Sequence, residues 1–176
     1  MKDKKMLVIV DMINDFAHEN GALYFPEAGN IIPNIKDRLE EAMENDEIII
    51  FLCDSHEPDD KEFERFPEHA VENTWGNNII DDLKVTKNVP YHVIGKQRYS
   101  GFYGTGLDSL VRIYRPCNVT VVGVCTSICV MDTVGGFANR DYSPIVPVDC
   151  VADFDSDMHN MAIERMENIY GANIIF

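Results

Sequence analysis

Residues 118–141 read NVTVVGVCTSICVMDTVGGFANRD. Four β-formers, Val119 to Val122, run into Gly123, and the strand they predict spans 118–124. From Thr126 to Asp141 the apolar residues take helical spacing, in a helix weakened by the Gly135–Gly136 pair. Between strand and helix lie Cys125 and Cys129, four residues apart. Disulfide, half a metal site, helix packing and nucleophile are all open readings of that pair.

The same strand-then-helix grammar recurs along the chain. MLVIV (6–10) is a continuous apolar run, the mark of a strand buried on both faces. NIIPNIKDRLEEAMEN (30–45) places Ile31, Ile35, Leu39, Ala42 and Met43 on one helical stripe. EIIIFLCD (47–54) is a second buried strand and YHVIGK (91–96) a short third, separated by about thirty irregular residues of the kind that usually carry function. TGLDSLVRIYRP (105–116) is a helix ended by Pro116. SPIVPVDC (143–150) is a fifth strand, DSDMHNMAIERMENIYG (155–171) a helix closed by Gly171, and ANIIF (172–176) a last strand. Apolar strands alternating with amphipathic helices predict a three-layer α/β/α, Rossmann-like fold around a central, mostly parallel sheet of about six strands. One domain, 1–176, is expected, with no internal repeat.

Bulk properties narrow the partners. Thirty acidic against fifteen basic residues give a formal charge of −15, which repels nucleic acid and anionic membrane. The charged MKDKK start and the five-residue apolar run after it resemble neither a signal peptide nor a membrane span. Five cysteines, an odd count without an export signal, point to reduced thiols in a cytoplasm-like compartment. Homo-oligomerisation is expected on symmetry grounds alone.

In open parallel sheets ligands bind beyond the carboxyl ends of the strands, so the polar residues that follow each strand form the natural site list. They are Asp11, then Asp54 and His56, then Lys96, then Cys125 to Cys129, then Asp149 and Cys150. A cysteine at the start of a helix meets exposed amides and the positive end of the helix dipole, both of which favour thiolate. On position alone, Cys129 reads rather as a small buried hydrophobe. A Cys125–Cys129 disulfide is disfavoured by compartment and by geometry. Asp11 at a buried strand end needs a partner or a task, and Lys96 is available as the partner, in a structural ion pair or a catalytic one. Asp54, His56 and, thirteen residues on, His69 form a donor set suited to Zn²⁺, Mn²⁺ or Fe²⁺. On spacing alone, solvated loop side chains explain them as well. His18, His92 and His159 lack such company and read as surface or structural.

VDMINDF (10–16), CDSH (53–56) with FPEH (66–69), GKQRYSGF (95–102) and GVCTSICV (123–130) stand in the order and approximate spacing of one family. On these motifs the chain resembles the isochorismatase-like cysteine hydrolases, and among them most of all the nicotinamidases (pyrazinamidase/nicotinamidase). The resemblance implies a triad of Asp11, Lys96 and Cys129. It implies a cis Val124–Cys125 bond and an oxyanion hole from the amides of Cys125 and Cys129. It implies one divalent metal ion (zinc, iron or manganese) on Asp54, His56 and His69, with Glu62 as a fourth ligand and Glu64 two residues away. Phe16, Phe66, Tyr99 and Tyr103 fall where aromatics would surround a pyridine ring, although each alone is as readily ordinary core. The implied activity is hydrolysis of a small carboxamide, nicotinamide, to nicotinate and ammonia through a thioester, as in NAD salvage. The alternatives are another hydrolase of the superfamily, of isochorismatase or N-carbamoyl amidase type, or a non-catalytic metal- or partner-binding protein on the same fold. Ser127 and Trp75 depart from the family pattern.

Overall fold

The computed structural model describes residues 4–176, so the first three residues of the MKDKK segment lie outside the described residues. Strand β1 (Lys5–Val10) leads through a one-turn helix α1 (Asn14–Ala17) and a short α2 (Pro26–Asn30) to the long helix α3 (Ile32–Glu44). β2 (Ile48–Asp54) follows, then a long loop whose one 3-10 turn covers Lys61–Glu64, then β3 (Tyr91–Lys96). α4 (Leu107–Tyr114), β4 (Asn118–Val124), a π-turn (Thr126–Val130) and α5 (Met131–Ala138) come next. The chain ends with β5 (Ile145–Pro147), β6 (Val151–Ala152), α6 (Ser156–Asn168) and β7 (Asn173–Ile175).

Seven strands form one sheet in the order β3-β2-β1-β4-β5-β7, with β6 also pairing β4, and every pairing is parallel. Side-chain alternation splits β1 and β2 between two apolar layers. Leu7, Ile9, Ile49 and Phe51 pack on one face with Ile35, Leu39 and Ala42 of α3. Met6, Val8, Val10, Ile48, Ile50 and Leu52 pack on the other with Val111 of α4, Val134 and Phe137 of α5, and Ile163 and Met166 of α6. Each such burial stabilises the fold by about 1.5–3 kcal/mol relative to exposure. This is why the central strands β1, β2 and β4 read as unbroken apolar runs: neither of their faces meets water.

The chain steps outward from β1 to β2 to β3, then crosses back to β4 on the other side of β1. The order therefore reverses between β1 and β4, and their carboxyl ends flank the crevice where such sheets bind ligands. Val10 lies beside Leu52 and Gly123, and Asp54 beside Lys96, so the strands end nearly flush. Gly123 has φ 114°, and a Cβ there would fall 2.0 Å from the Val10 carbonyl oxygen. Only glycine permits that approach of β4 to β1.

Two expectations are corrected. The fifth strand does not run through 143–150. Pro147 offers no N–H to the ladder, Val148–Cys150 coil into a 3-10 turn, and the chain rejoins β4 only at β6. Asp149 and Cys150 are thereby removed from the sheet's carboxyl edge: the Asp149 carbonyl accepts from Asn34, and Cys150 is buried in the α3 layer. The helix expected from Thr126 begins instead as the π-turn and becomes α-helical at Met131. Its Gly135 and Gly136 are packing positions, where a Cβ would stand 3.0 Å from Tyr170 and 2.4 Å from Phe102.

Candidate active site

Asp11 is the first residue beyond β1, at φ 52°, a left-handed conformation that aspartate tolerates better than most residues. Its Oδ1 accepts the Asp54 amide at 2.8 Å, which ties the ends of β1 and β2 together. Lys96 ends β3, and its fully buried side chain places Nζ 2.8 Å from Asp11 Oδ2 and 3.4 Å from Cys129 Sγ. The same ammonium donates to Asp54 Oδ1. Acceptor atoms of Asp11, Asp54 and Cys129 all lie within 4.8 Å of one another. Four strands thus deliver two carboxylates, one ammonium and one thiol to a single buried point. The Val124–Cys125 peptide bond is cis, and the π-turn that follows carries Cys129.

Burial acts on each group according to its charge. Burial, and then the nearby Asp54, push Asp11 up to about 6 against the opposing pull of Lys96. Asp54 is also pushed up by burial, but Lys96 and His56 outweigh this and hold it below the usual carboxylate range. Burial alone would discharge Lys96, yet the two carboxylates keep its ammonium well above the ordinary lysine value. Cys129 is held well above an ordinary thiol, by burial first and by Asp11 and Asp54 as well, with Lys96 opposing. Burial and the two acids thus oppose the thiolate that a helix N-terminus would favour, and the sulfur is carried by the π-turn, ahead of the α-helix that begins at Met131.

Beside this cluster stands a second set of donors. Asp54 Oδ2 lies 3.7 Å from His56 Nε2 and 3.9 Å from His69 Nε2. Both imidazoles are held from behind: His69 Nδ1 donates to the Pro67 carbonyl at 2.7 Å, and His56 Nδ1 lies 3.1 Å from Asp60. Glu62 is buried with Oε2 aimed at no partner, and His56 Nε2 is likewise buried and unpartnered. Glu64 is exposed, so the 3-10 turn presents Glu62 alone to the interior. Two lone pairs, a carboxylate and an orphaned buried carboxylate oxygen are the donor chemistry of a divalent cation site such as Zn²⁺, Fe²⁺ or Mn²⁺, and the residues fit one.

Both sets open onto a cavity of about 380 Å³. Asp11, Asp54, Glu62, His69, Cys125 and Cys129 form its polar floor. Phe16, Phe66 and Tyr99, three of the aromatics named from the sequence, line it together with Leu23, Tyr24, Phe25, Ile128 and Phe154, which were not named. Among the described residues no cationic side chain lines it. Tyr103 is a correction: it is 69 % exposed and lies outside the cavity, because it sits with Gly104 on the solvent side of a turn whose Gly101 and Phe102 pack inward. Trp75 is also outside, stacked edge-on with His18, and the Ser127 amide donates to Asp153 at 2.7 Å. Asp153 takes the edge position expected for Asp149. His159 is tied to the same turn, with Nδ1 2.9 Å from Thr126 Oγ1.

Asp15 is the other residue that motif reading left without a task. Its buried carboxylate accepts the Ala22 amide at 3.0 Å and the Ala70 amide at 2.7 Å, linking the cavity wall to the residue after His69. A Cβ on Gly76 would lie 1.9 Å from that carboxylate, so the motif's second aspartate and this glycine are one packing unit.

Residues 5–175 match the isochorismatase domain model. The chain belongs to the isochorismatase family. Among solved structures of this family, nicotinamidase/pyrazinamidase PncA from Bacillus subtilis is 34 % identical at a TM-score of 0.89, covering 98 % of this chain and 100 % of its own. N-carbamoylsarcosine amidase from Thermoplasma acidophilum is 32 % identical at 0.87, covering 98 % and 95 %. Pyrazinamidase of Pyrococcus horikoshii in complex with zinc is 27 % identical at 0.89, covering 98 % of both chains. As a member of the isochorismatase superfamily the protein is a hydrolase. Among the described residues no helix is long and apolar enough to cross a membrane.

Proposed function

We propose that the protein hydrolyses an uncharged aromatic carboxamide, nicotinamide, to nicotinate and ammonia. The observation that carries this reading is the cavity: a buried Asp11–Lys96–Cys129 cluster lies at the foot of aromatic walls that, among the described residues, include no cationic side chain. An amide substrate bearing a carboxylate, such as an N-carbamoyl amino acid, would find no side-chain cation on the cavity walls, among the described residues, to pair with. A flat neutral ring meets Phe16, Phe66 and Phe154.

The chemistry then follows from the groups present. Asp11 accepts the proton of Cys129, and Sγ attacks the carboxamide carbon, forming a C–S bond as the carbonyl electrons move to oxygen. The amides of Cys125 and Cys129 hold that oxyanion. Lys96 balances the charge as the proton moves. Collapse breaks the C–N bond, Asp11 returns the proton to the leaving nitrogen, and ammonia departs from a thioester. Water, deprotonated by Asp11, attacks the thioester carbon, and the expelled sulfur regains the proton. Asp54, His56, His69 and Glu62 would hold a divalent cation, which when bound supplies Lewis acidity toward a ring nitrogen or a water. The described cysteines are all free, in keeping with a reducing, cytoplasmic setting, where nicotinate would feed NAD salvage.

Ammonia release from nicotinamide and from N-carbamoylsarcosine, measured on metal-replete protein beside Cys129→Ala, tests this reading. Release from nicotinamide that falls about 10⁴-fold or more in the variant is expected, as when a nucleophile is removed. Release from N-carbamoylsarcosine alone, or from neither amide, overturns it.

A further inference from the structure

We infer that Asp60 is the positioning residue of the cation site, fixing His56 and Glu62 together while Arg98 fixes Asp60. The inference rests on reading Asp54, His56, His69 and Glu62 as the donor set. Asp60 sits in the acidic loop, yet its side chain is only 5 % exposed, and both of its oxygens are engaged. Oδ2 lies 3.1 Å from His56 Nδ1, and Oδ1 accepts the Glu62 amide at 2.9 Å.

An ionised carboxylate can only accept, so His56 carries a hydrogen on Nδ1, and Nε2 is the atom left to face a cation. That Nε2 is buried, unpartnered and turned toward Asp54 Oδ2. The second bond caps the 3-10 turn from the residue before it, which sets the rotation that buries Glu62 and exposes Glu64. One side chain thereby fixes the tautomer of one donor and the direction of another. Arg98 completes the arrangement: its guanidinium donates to Asp60 Oδ1 at 3.1 Å and to Oδ2 at 2.9 Å. Because Arg98 stands two residues beyond Lys96, the donor loop is tied to the strand that supplies the buried ammonium.

Partners of this kind orient a ligating imidazole and raise its basicity, and losing one costs about 10–100-fold in metal affinity. The test is Zn²⁺ affinity of the full chain, measured by competition with a chelating dye, beside the absorption bands of the Co²⁺-loaded protein, which report coordination geometry. Asp60→Asn keeps the side chain's size but removes the charge and one acceptor oxygen. A loss of Zn²⁺ affinity of about 10–100-fold with altered Co²⁺ bands is expected. Arg98→Gln, at a side chain 41 % exposed, should move both readouts in the same direction and serves where Asp60→Asn does not fold. Zn²⁺ affinity within about twofold of wild type in Asp60→Asn, or in Arg98→Gln where only that variant folds, overturns the inference. A wild-type protein that takes up no Zn²⁺ overturns the donor-set reading itself, and shows it before any substitution is made.

Discussion

At the scale of single residues the site depends on which proton sits where. Asp11 must be ionised to accept the Cys129 proton, and burial with Asp54 nearby has pushed it up to about 6. The required form is the deprotonated one, so kcat/KM should fall as pH drops through that value. A cation at Asp54 removes one of the influences raising it, so the ascending limb should lie at or below pH 6, and a profile on metal-replete protein checks this. An ascending limb near the ordinary thiol range would mean instead that Cys129 must ionise unaided. Most of these groups were legible in the sequence because each directly ends or follows an apolar strand. Asp60 and Asp15 were not: their work is to accept loop amides, and no periodicity marks a loop carboxylate as buried. Tyr103 misled for the opposite reason, since a place in a family motif says nothing about which way a side chain in a turn faces.

Elements were legible where both faces of a strand are covered. β4 occupies the residues expected from the sequence, 118–124, and so does the half-exposed rim strand β3, 91–96. The fifth strand failed because Pro147 interrupts a run whose hydrophobicity continues through the 3-10 turn. Cavity walls from 22–25 and Phe154 lie outside regular elements, so their convergence depends on tertiary packing that the strand pattern does not encode. The contact of β4 with β1 gives a sharp test. Gly123→Ala should cost at least about 2 kcal/mol, through a clash with backbone and an unfavourable φ. Gly106→Ala, where nothing lies within 4 Å of the added carbon, should stay within about 0.5 kcal/mol. Denaturant midpoints of the two variants measure the difference, and equal midpoints would refute the steric account.

For the molecule as a whole, the charge of −15 now has a counterpart in the site. A strongly negative field draws divalent cations inward and is screened as salt is raised. Stopped-flow association of Zn²⁺ with metal-free protein should therefore slow with ionic strength, and a salt-independent rate would assign the charge to solubility alone. The sheet order carries one more consequence. β1 is paired along both sides, whereas β3 is paired only with β2 and leaves Tyr91 and Val93 exposed at the rim. Amides on the free side of β3 should exchange with deuterium far sooner than those of β1. The lysine on which two carboxylates depend is thus carried by a rim strand, and the grip of those acids on its far end ties that rim to the middle of the sheet.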